Sequence, residues 1–405
     1  MNNRKIYMTG IIKKNTAIVM AGVCILSAAG CGSGAGKKYD AGMEQFEARK
    51  YEDACSSFSE AVAINPDKAE YYIAYGMALI GMAQYEEART QFQNVVRDTD
   101  NKIVRENNKR AYRGIALTYY NEGNYEQAKG YLELALKTEE LEELNQDLMA
   151  YMANCELLLN DYERAMGYWN KLIGQDAGKA EMSEYYLGRA KTQNVSGNYS
   201  GAIQDYQSAI ENNSDNYQAY LGLYLTLTST MDESGAKEVL EQARKKAEND
   251  DDNIIYAAIF DYYAGDYKNA AEYFEEAKKQ GNRDAVYYEG RISQDEGRYE
   301  DAMKLYDSYL EAKPMGSNAE LCNQYAGCLM ELKRYDEALE WLKKGVAMAA
   351  GGVRQQLMFN QVVAYERTGD FKSAKEVAAE YLKSYTDENM QKEFAFIKTR
   401  CADAE

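Results

Sequence analysis

Residues 111–136 read AYRGIALTYYNEGNYEQAKGYLELAL, and this stretch decides the fold. Its centre is the phrase Tyr125-Glu126-Gln127-Ala128, which pairs an aromatic residue with an alanine three positions later. A small residue, Ala116, stands twelve positions before Ala128, and a large apolar one, Leu132, stands four after it. Gly123-Asn124 precedes the phrase, and glycine at such a place ends a helix while asparagine suits the turn. The stretch therefore predicts two helices joined by a tight turn.

The same phrase recurs along the chain. Eight further copies keep an aromatic residue three positions before an alanine, and one degenerate copy ends at Gly235-Ala236. The ten alanines lie between 32 and 40 residues apart: Ala54, Ala88, Ala128, Ala165, Ala202, Ala236, Ala270, Ala302, Ala338 and Ala374. A fixed period of this length is typical of repeat proteins.

Small and large residues keep the same places in most copies. The position twelve residues before the alanine holds Gly or Ala in eight copies, and Gly222 is assigned to it in the sixth copy through a two-residue insertion. Val362 breaks the rule in the last copy. The position four residues after the alanine holds a large apolar residue in nine copies: Phe58, Phe92, Leu132, Trp169, Tyr206, Leu240, Phe274, Tyr306 and Leu342. This pattern predicts a helix crossing where a small residue faces a bulky one.

Taken together, these positions resemble the tetratricopeptide repeat. The resemblance implies an all-α fold, a right-handed solenoid of about ten helix-turn-helix repeats. Elementary physics agrees, because each helix is marginal alone and each hairpin has a face that only the next can bury. We expect the solenoid to span residues 39–387. Residues 388–405 are expected to form a capping helix and tail, since a solenoid end needs a polar outer face.

The first thirty residues are typical of an export signal. Four basic residues, Arg4, Lys5, Lys13 and Lys14, precede an apolar run that is too short to span a membrane as a helix. The run ends in Ala28-Ala29-Gly30-Cys31, which resembles the lipobox of bacterial lipoproteins, although Ala28 stands where leucine is commonest. The interpretation is a signal peptide at 1–30 and a lipid on Cys31; an ordinary signal peptide with a chance cysteine is the alternative.

Residues 31–38 are interpreted as the lipidated cysteine and a flexible tether, because Gly32 to Gly36 is rich in glycine and serine. The remaining cysteines, Cys55, Cys155, Cys322, Cys328 and Cys401, are odd in number and contain no CxxC spacing. We therefore expect no disulfide framework, and we expect most of these cysteines to be buried as small apolar residues.

The composition excludes several classes of function. The chain has no histidine, which rules out Ser-His-Asp catalysis and imidazole zinc sites. Its net charge of -18 makes nucleic acid an improbable partner, because phosphate binding needs a basic surface. No nucleophile motif or paired carboxylates stand out among the acids. We expect a protein that is not an enzyme and that carries no cofactor and no metal.

In the resembled family, the first helix of each hairpin lines a concave groove. Its inward positions fall about eleven and fifteen residues before the phrase's alanine. Polar residues at these positions are candidates to clamp a peptide through charge-assisted hydrogen bonds: Arg113, Asn154, Lys191, Tyr287, Arg291 and Asn323. The alternative is that they are solvated or pair with the many acids. Groove tyrosines (Tyr39, Tyr120, Tyr262 and Tyr287) are further candidates for peptides or glycans, although most tyrosines are expected to be structural.

The sequence thus predicts an exported, lipid-anchored scaffold on the extracytoplasmic face of the cell membrane that binds proteins or peptides in its groove. Two alternatives stay open. One is a structural subunit of a cell-envelope assembly or secretion complex, and the other is a glycan- or solute-binding lipoprotein. They differ in which surface of the solenoid does the binding.

Overall fold

The computed structural model describes residues 34–312, 319–349 and 351–402, and this part of the chain contains 21 α-helices and no β-strand. The predicted all-α fold of helical hairpins is therefore confirmed. The chain divides into two compact units, which meet in sequence between Gln175 and Asp176. The handedness of the whole solenoid stays a prediction.

The first unit consists of four hairpins. Each pairs a first helix with a second helix in the order of the chain. Their bounds are α1 Gly34–Glu47 with α2 Tyr51–Ile64, α3 Ala69–Gly81 with α4 Tyr85–Gln93, α5 Lys102–Asn121 with α6 Tyr125–Leu136, and α7 Asn145–Leu158 with α8 Tyr162–Ile173.

The second unit consists of six hairpins and a final helix. The hairpins are α9 Lys179–Val195 with α10 Tyr199–Asn212, α11 Tyr217–Ser229 with α12 Glu233–Ala247, α13 Ile254–Ala264 with α14 Tyr267–Lys279, α15 Asp284–Asp295 with α16 Tyr299–Ala312, α17 Ala319–Glu331 with α18 Tyr335–Met348, and α19 Gly351–Thr368 with α20 Phe371–Ser384. The final helix is α21 Glu388–Ala402. The ten hairpins agree with the ten copies of the phrase.

The repeated phrase marks the start of each second helix. Nine of these helices begin at the aromatic residue of the phrase, and α12 begins at Glu233, where the phrase is degenerate. The residue before the helix is the N-cap. In six hairpins its side chain accepts a hydrogen bond from a backbone N–H of the first turn: Asn124, Asp161, Asn198, Asp232, Asp266 and Asp370. Capping of this kind satisfies donors that the helix itself leaves open.

The hairpin turns share one left-handed residue, located two positions before the second helix. Glycine occupies it in five hairpins, as at Gly265 with a φ of 78°. Five other hairpins have a side chain there: Arg49, Ala83, Asn160, Met231 and Lys333. The left-handed conformation costs an L-residue roughly 1–2 kcal/mol. The turn geometry is therefore imposed by the packing of the two helices even where the sequence does not favour it.

Met231 offers a direct test of this strain, because its φ is 62° and its side chain is 82% exposed. Met231→Gly should raise the free energy of unfolding by about 0.5–1 kcal/mol, since glycine relieves the strain at a smaller entropic cost. Gly265→Ala should lower it by about 1 kcal/mol. Urea unfolding measures both changes. A Met231→Gly variant less stable than the parent would contradict the argument.

The predicted crossing of small and bulky residues is present inside the hairpins. A Cβ atom placed on Gly42 would lie 2.6 Å from Phe58, and one on Gly76 would lie 2.7 Å from Phe92. Both rings are fully buried. The rings therefore occupy the space that a side chain on the first helix would need.

Gly222 corrects one detail of this pattern. It contacts the ring of Tyr206 in the preceding hairpin, not a residue of its own hairpin. Gly114 contacts Phe92 in the same way. In the sixth hairpin the position twelve residues before Ala236 is held by Tyr224, which packs in one apolar cluster with the smaller Leu240. A small residue on a first helix therefore packs against a bulky ring of its own hairpin or of the preceding hairpin.

The prediction of a flexible tether is wrong for residues 34–38. Helix α1 begins at Gly34, and Ala35 and Gly36 are buried. Ala35 belongs to an apolar cluster with Ala61 and Tyr71, which explains the order of this glycine-rich stretch. The signal peptide, Cys31 and the first residues of the predicted tether lie outside the described residues.

The cysteines in the described residues are free, and four of the five are buried, as expected. At the other end of the chain, α21 occupies the place of the predicted cap. Met390 and Ile397 of α21 are fully buried and join Val362, Ala378 and Tyr381 in one cluster. The cap therefore covers the apolar face that the tenth hairpin leaves open.

The cap also brings two acidic residues together. Glu366 on α19 shares a hydrogen bond with Glu393 on α21, and burial together with this neighbour raises the pKa of Glu366 from 4.5 to about 7. A raised carboxyl pKa means that the folded protein holds this proton more tightly than the unfolded chain does.

The free energy of unfolding should therefore fall as the pH rises from about 4.5 to about 7, where the folded state binds more protons. Glu366→Gln should remove this pH-dependent fall in the free energy of unfolding. The variant should therefore be more stable than the parent above pH 7, and the two should have nearly equal stability near pH 4. Urea unfolding across this range measures it, and Glu376→Gln on the exposed surface of α20 is the control. Parallel pH profiles for the parent and Glu366→Gln would refute the coupling.

Candidate peptide-binding surface

The six candidate groove residues all lie on first helices, but they do not form one site. Arg113 and Asn154 belong to the first unit, on α5 and α7. Lys191, Tyr287, Arg291 and Asn323 belong to the second unit, on α9, α15 and α17. Their surroundings differ, and so does what each can do.

Arg113 is buried and paired within the protein. Its Nε donates a hydrogen bond of 2.6 Å to Asp147 on α7, and only 5% of the residue is exposed. One of its terminal nitrogens has no partner among the described residues. The arrangement matches the alternative that this arginine pairs with an acid, and it links two neighbouring hairpins.

Lys109, one turn before Arg113, extends this link. Its buried ammonium donates to the carbonyls of Thr138 and Glu140 and to the side chain of Asn145, at 2.7–2.9 Å. Burial lowers the pKa of Lys109. Sequence reasoning did not identify this residue, although its spacing of four from Arg113 places both on one helix face.

Lys191 is half-buried and donates a hydrogen bond of 2.9 Å to Gln218 on α11. Burial lowers the pKa of Lys191, and nearby Glu184 opposes this shift. Asn323 is also half-buried and accepts a hydrogen bond of 2.8 Å from Asn360 on α19. In both cases a side chain of the next first helix already satisfies the candidate, so these residues form polar links between hairpins. Asn154 is half-buried on α7.

Arg291 has a different environment. It is half-buried, and its guanidinium carbon lies 5.1 Å from the centre of the Tyr262 ring. Within the described part of the chain it forms no salt bridge of 4 Å or less, and its guanidinium lies within hydrogen-bonding reach of the Tyr263 and Tyr287 hydroxyl oxygens. Cation–π contacts of this kind contribute about 0.5–2 kcal/mol, which is less than a paired carboxylate supplies when buried.

Tyrosines surround this arginine. Tyr287 precedes it by one turn and is 7% exposed, and its hydroxyl has no hydrogen-bond partner in the described residues. Tyr262 donates to Asp295 at 2.8 Å. Tyr263 and Tyr306 are also close enough to influence the charge of Arg291. The Arg291 guanidinium is therefore surrounded by tyrosine side chains.

Burial raises the pKa of Tyr287 and of Tyr262. Both hydroxyls therefore stay protonated at neutral pH; that of Tyr262 already donates to Asp295, whereas that of Tyr287 remains available as a donor. Glu320 on α17 is close enough to raise the pKa of Tyr287 further. The surface thus offers a cation and a hydroxyl donor side by side, which suits a carboxylate or a peptide carbonyl.

Of the predicted candidates, the structure brings together Tyr287 and Arg291, with Tyr262 beside them. Tyr263 was not predicted; it lies seven residues before Ala270, outside the positions taken from the family pattern. Gln218 and Asn360 were missed for the same reason. The adjacent pair Tyr262-Tyr263 was the only signal in the sequence.

The fold and this surface define a protein of stacked helical hairpins. Models of the tetratricopeptide repeat match residues 76–137, 113–180, 261–317 and 293–358, which together cover about half of the chain. The chain belongs to the tetratricopeptide repeat family. No curated protein sequence matches it.

Three solved structures to which the chain is similar differ widely from it in sequence. Yeast Tom70 is 12% identical, with 91% of this chain and 96% of Tom70 covered and a TM-score of 0.41. A tetratricopeptide repeat protein from Parabacteroides merdae is 11% identical over 72% and 99%, with a TM-score of 0.37. PilF of Pseudomonas aeruginosa is 16% identical over 57% and 100%, with a TM-score of 0.42.

Membership of the family defines the general class of function. Tetratricopeptide repeat proteins are scaffolds suited to binding proteins or peptides, and they are generally not catalysts. None of the described helices has the length and apolar character needed to cross a membrane.

Proposed function

We propose that this chain is an exported, lipid-anchored scaffold that holds protein or peptide partners on the first-helix surface of its second unit. The observation that carries the proposal is Arg291, a half-buried guanidinium without an acid partner among the described residues, beside the unpaired hydroxyl of Tyr287. The chain has a net charge of -18, yet no acid among the described residues forms an ion pair with this arginine.

The energetics favour an acidic anchor on the partner. A partly desolvated guanidinium loses hydration that an incoming carboxylate restores through paired, charge-assisted hydrogen bonds. The other cationic candidate of the second unit, Lys191, already has a partner in the protein. Arg291 is therefore the group that contributes most to the free energy of binding a partner. Because the chain has a net charge of -18, nucleic acid is not proposed as a partner.

Reversing this charge tests the surface. Arg291→Glu should weaken crosslinked capture of native partners from membranes of the source cells at least about tenfold, because the anchor would then repel a carboxylate. Lys304→Glu is the matched control, since Lys304 makes the same charge change on the second helix α16, where its side chain is 75% exposed. Equal recovery of partners by both variants would contradict the proposed surface. Circular dichroism should confirm that both variants fold.

The anchor is proposed from the sequence. A basic segment, a short apolar run and Ala29-Gly30-Cys31 support export and attachment of lipid to Cys31 on the extracytoplasmic face of the membrane. Loss of residues 1–30 removes four positive charges, so the net charge would change from -18 to -22. Since α1 begins at Gly34, only two residues separate it from Cys31. Such a link reaches about 10 Å at most, which would hold the first hairpin near the membrane surface.

Fatty-acid labelling tests the anchor. Cys31→Ser should abolish incorporation of an alkyne-tagged fatty acid and release the chain from the membrane fraction, because the thiol is the proposed attachment point. Cys401→Ser is the control, as Cys401 is a free, half-buried cysteine far along the chain. Label retained in Cys31→Ser and lost in Cys401→Ser would refute the assignment.

A further inference from the structure

The surface around Arg291 continues along α13 as a strip of tyrosines. We define the tyrosine strip as Tyr256 and Tyr263 on α13 with Tyr287 and Arg291 on α15. Tyr256 and Tyr263 are both half-buried. Seven residues separate them, so they lie on one face of α13, about 10 Å apart along the helix axis.

Neighbouring tyrosines hold these rings in place. Tyr217 stacks on Tyr256 with ring centres 5.1 Å apart and an angle of 26°. Tyr224 packs against Tyr263 at 5.4 Å. The hydroxyl of Tyr217 is itself fixed by Asp250 at 2.9 Å. The strip is therefore a supported aromatic surface, and ordering it on binding costs little entropy.

The open polar groups of the strip are donors. The Tyr287 hydroxyl donates no hydrogen bond, and Arg291 forms no ion pair, among the residues that the structure describes. An ordinary extended peptide brings as many N–H donors as carbonyl acceptors, and its N–H groups would need acceptors here. Proline has a carbonyl acceptor and no N–H. A proline-containing segment therefore complements a surface that is rich in donors.

The spacing of the rings fits the same ligand. A polyproline II helix rises about 3.1 Å per residue with three residues per turn, so its residues repeat on one face about every 9 Å. This distance is close to the separation of Tyr256 and Tyr263 along α13. Grooves lined by aromatic residues recognise such helices because the segment is already ordered and its carbonyls are unpaired.

We propose that the tyrosine strip binds a proline-containing segment of the partner in the polyproline II conformation. Prolines pack on Tyr256 and Tyr263, while Tyr287 and Arg291 donate to the carbonyls or to an acidic side chain of the segment. This inference rests on the proposed function, since it names the class of peptide that the same surface takes.

Fluorescence anisotropy of the folded chain with two labelled peptides tests the proposal. A decaproline amide should bind, and a glycine-serine decapeptide amide of equal length should not. Tyr263→Ser and Tyr287→Phe should each weaken decaproline binding about tenfold, the first by removing a ring and the second by removing only a hydroxyl. Tyr199→Ser, a 38% exposed tyrosine of α10, should leave it unchanged. Tyr256→Ser replaces Tyr263→Ser if the latter fails to fold.

Two outcomes overturn the inference: equal binding of both peptides, or decaproline binding that survives Tyr256→Ser, Tyr263→Ser and Tyr287→Phe. The proposed function fails separately. If Arg291→Glu abolishes capture of native partners while decaproline does not bind, the peptide-binding surface stands and the polyproline assignment is wrong. If decaproline binds through the strip but Arg291→Glu leaves partner capture intact, the role of Arg291 as anchor is wrong and the strip stands.

Discussion

The contact between a small residue of one helix and a bulky ring of another is the constraint on which the rest of the structure depends. Phe58 and Phe92 are fully buried against glycines, and neither ring would fit if the glycine carried a side chain. Burying such a ring contributes roughly 1.5–3 kcal/mol, but only if the helices approach closely. The same contact fixes the angle of the hairpin, so the turn is forced into a left-handed residue even at Arg49 and Ala83, where no glycine relieves the strain. The left-handed turn residue is tolerated because burial of the ring stabilises the fold by more than the backbone conformation destabilises it.

Stacking places the first helices side by side, and this arrangement decides which polar residues can face a partner. Three of the six candidates are hydrogen-bonded to a side chain of the next hairpin: Arg113 to Asp147, Lys191 to Gln218, and Asn323 to Asn360. Such links tie these hairpins together and need no ligand. Arg291 differs because its contacts within the protein are tyrosines, which attract the cation without neutralising it. Function is therefore expected where the network of links between hairpins is incomplete.

The sequence predicted the fold closely and the site only in part. The aromatic residue of the phrase coincides with the first residue of nine second helices, because the phrase combines a cap, an aromatic side chain and a small residue within one helical turn. Gly222 was assigned to the wrong contact, since only the packing reveals that a small residue can receive a ring from the preceding hairpin. Gly34 to Gly36 looked like a linker, yet burial of Ala35 against Ala61 and Tyr71 outweighs the poor helix propensity of glycine. The pairing of Arg113 with Asp147 joins residues 34 positions apart, and a pattern within one repeat cannot show it.

An unpaired hydroxyl alone would not mark a site. Tyr120 and Tyr206 also have hydroxyls without partners in the described part of the chain, and each such group costs about 1–3 kcal/mol when buried. Tyr206 is fully buried in the core beside Gly222. Its ring fills that space, and its unpaired hydroxyl is a consequence of this packing. Tyr120 packs edge-on against Tyr125 and Tyr151 in a similar way. Tyr287 has the same cost, but it stands one turn from a guanidinium that forms no ion pair among the described residues. One group of acceptor oxygens can accept from both donors on this face of α15, and this pairing is what marks the site.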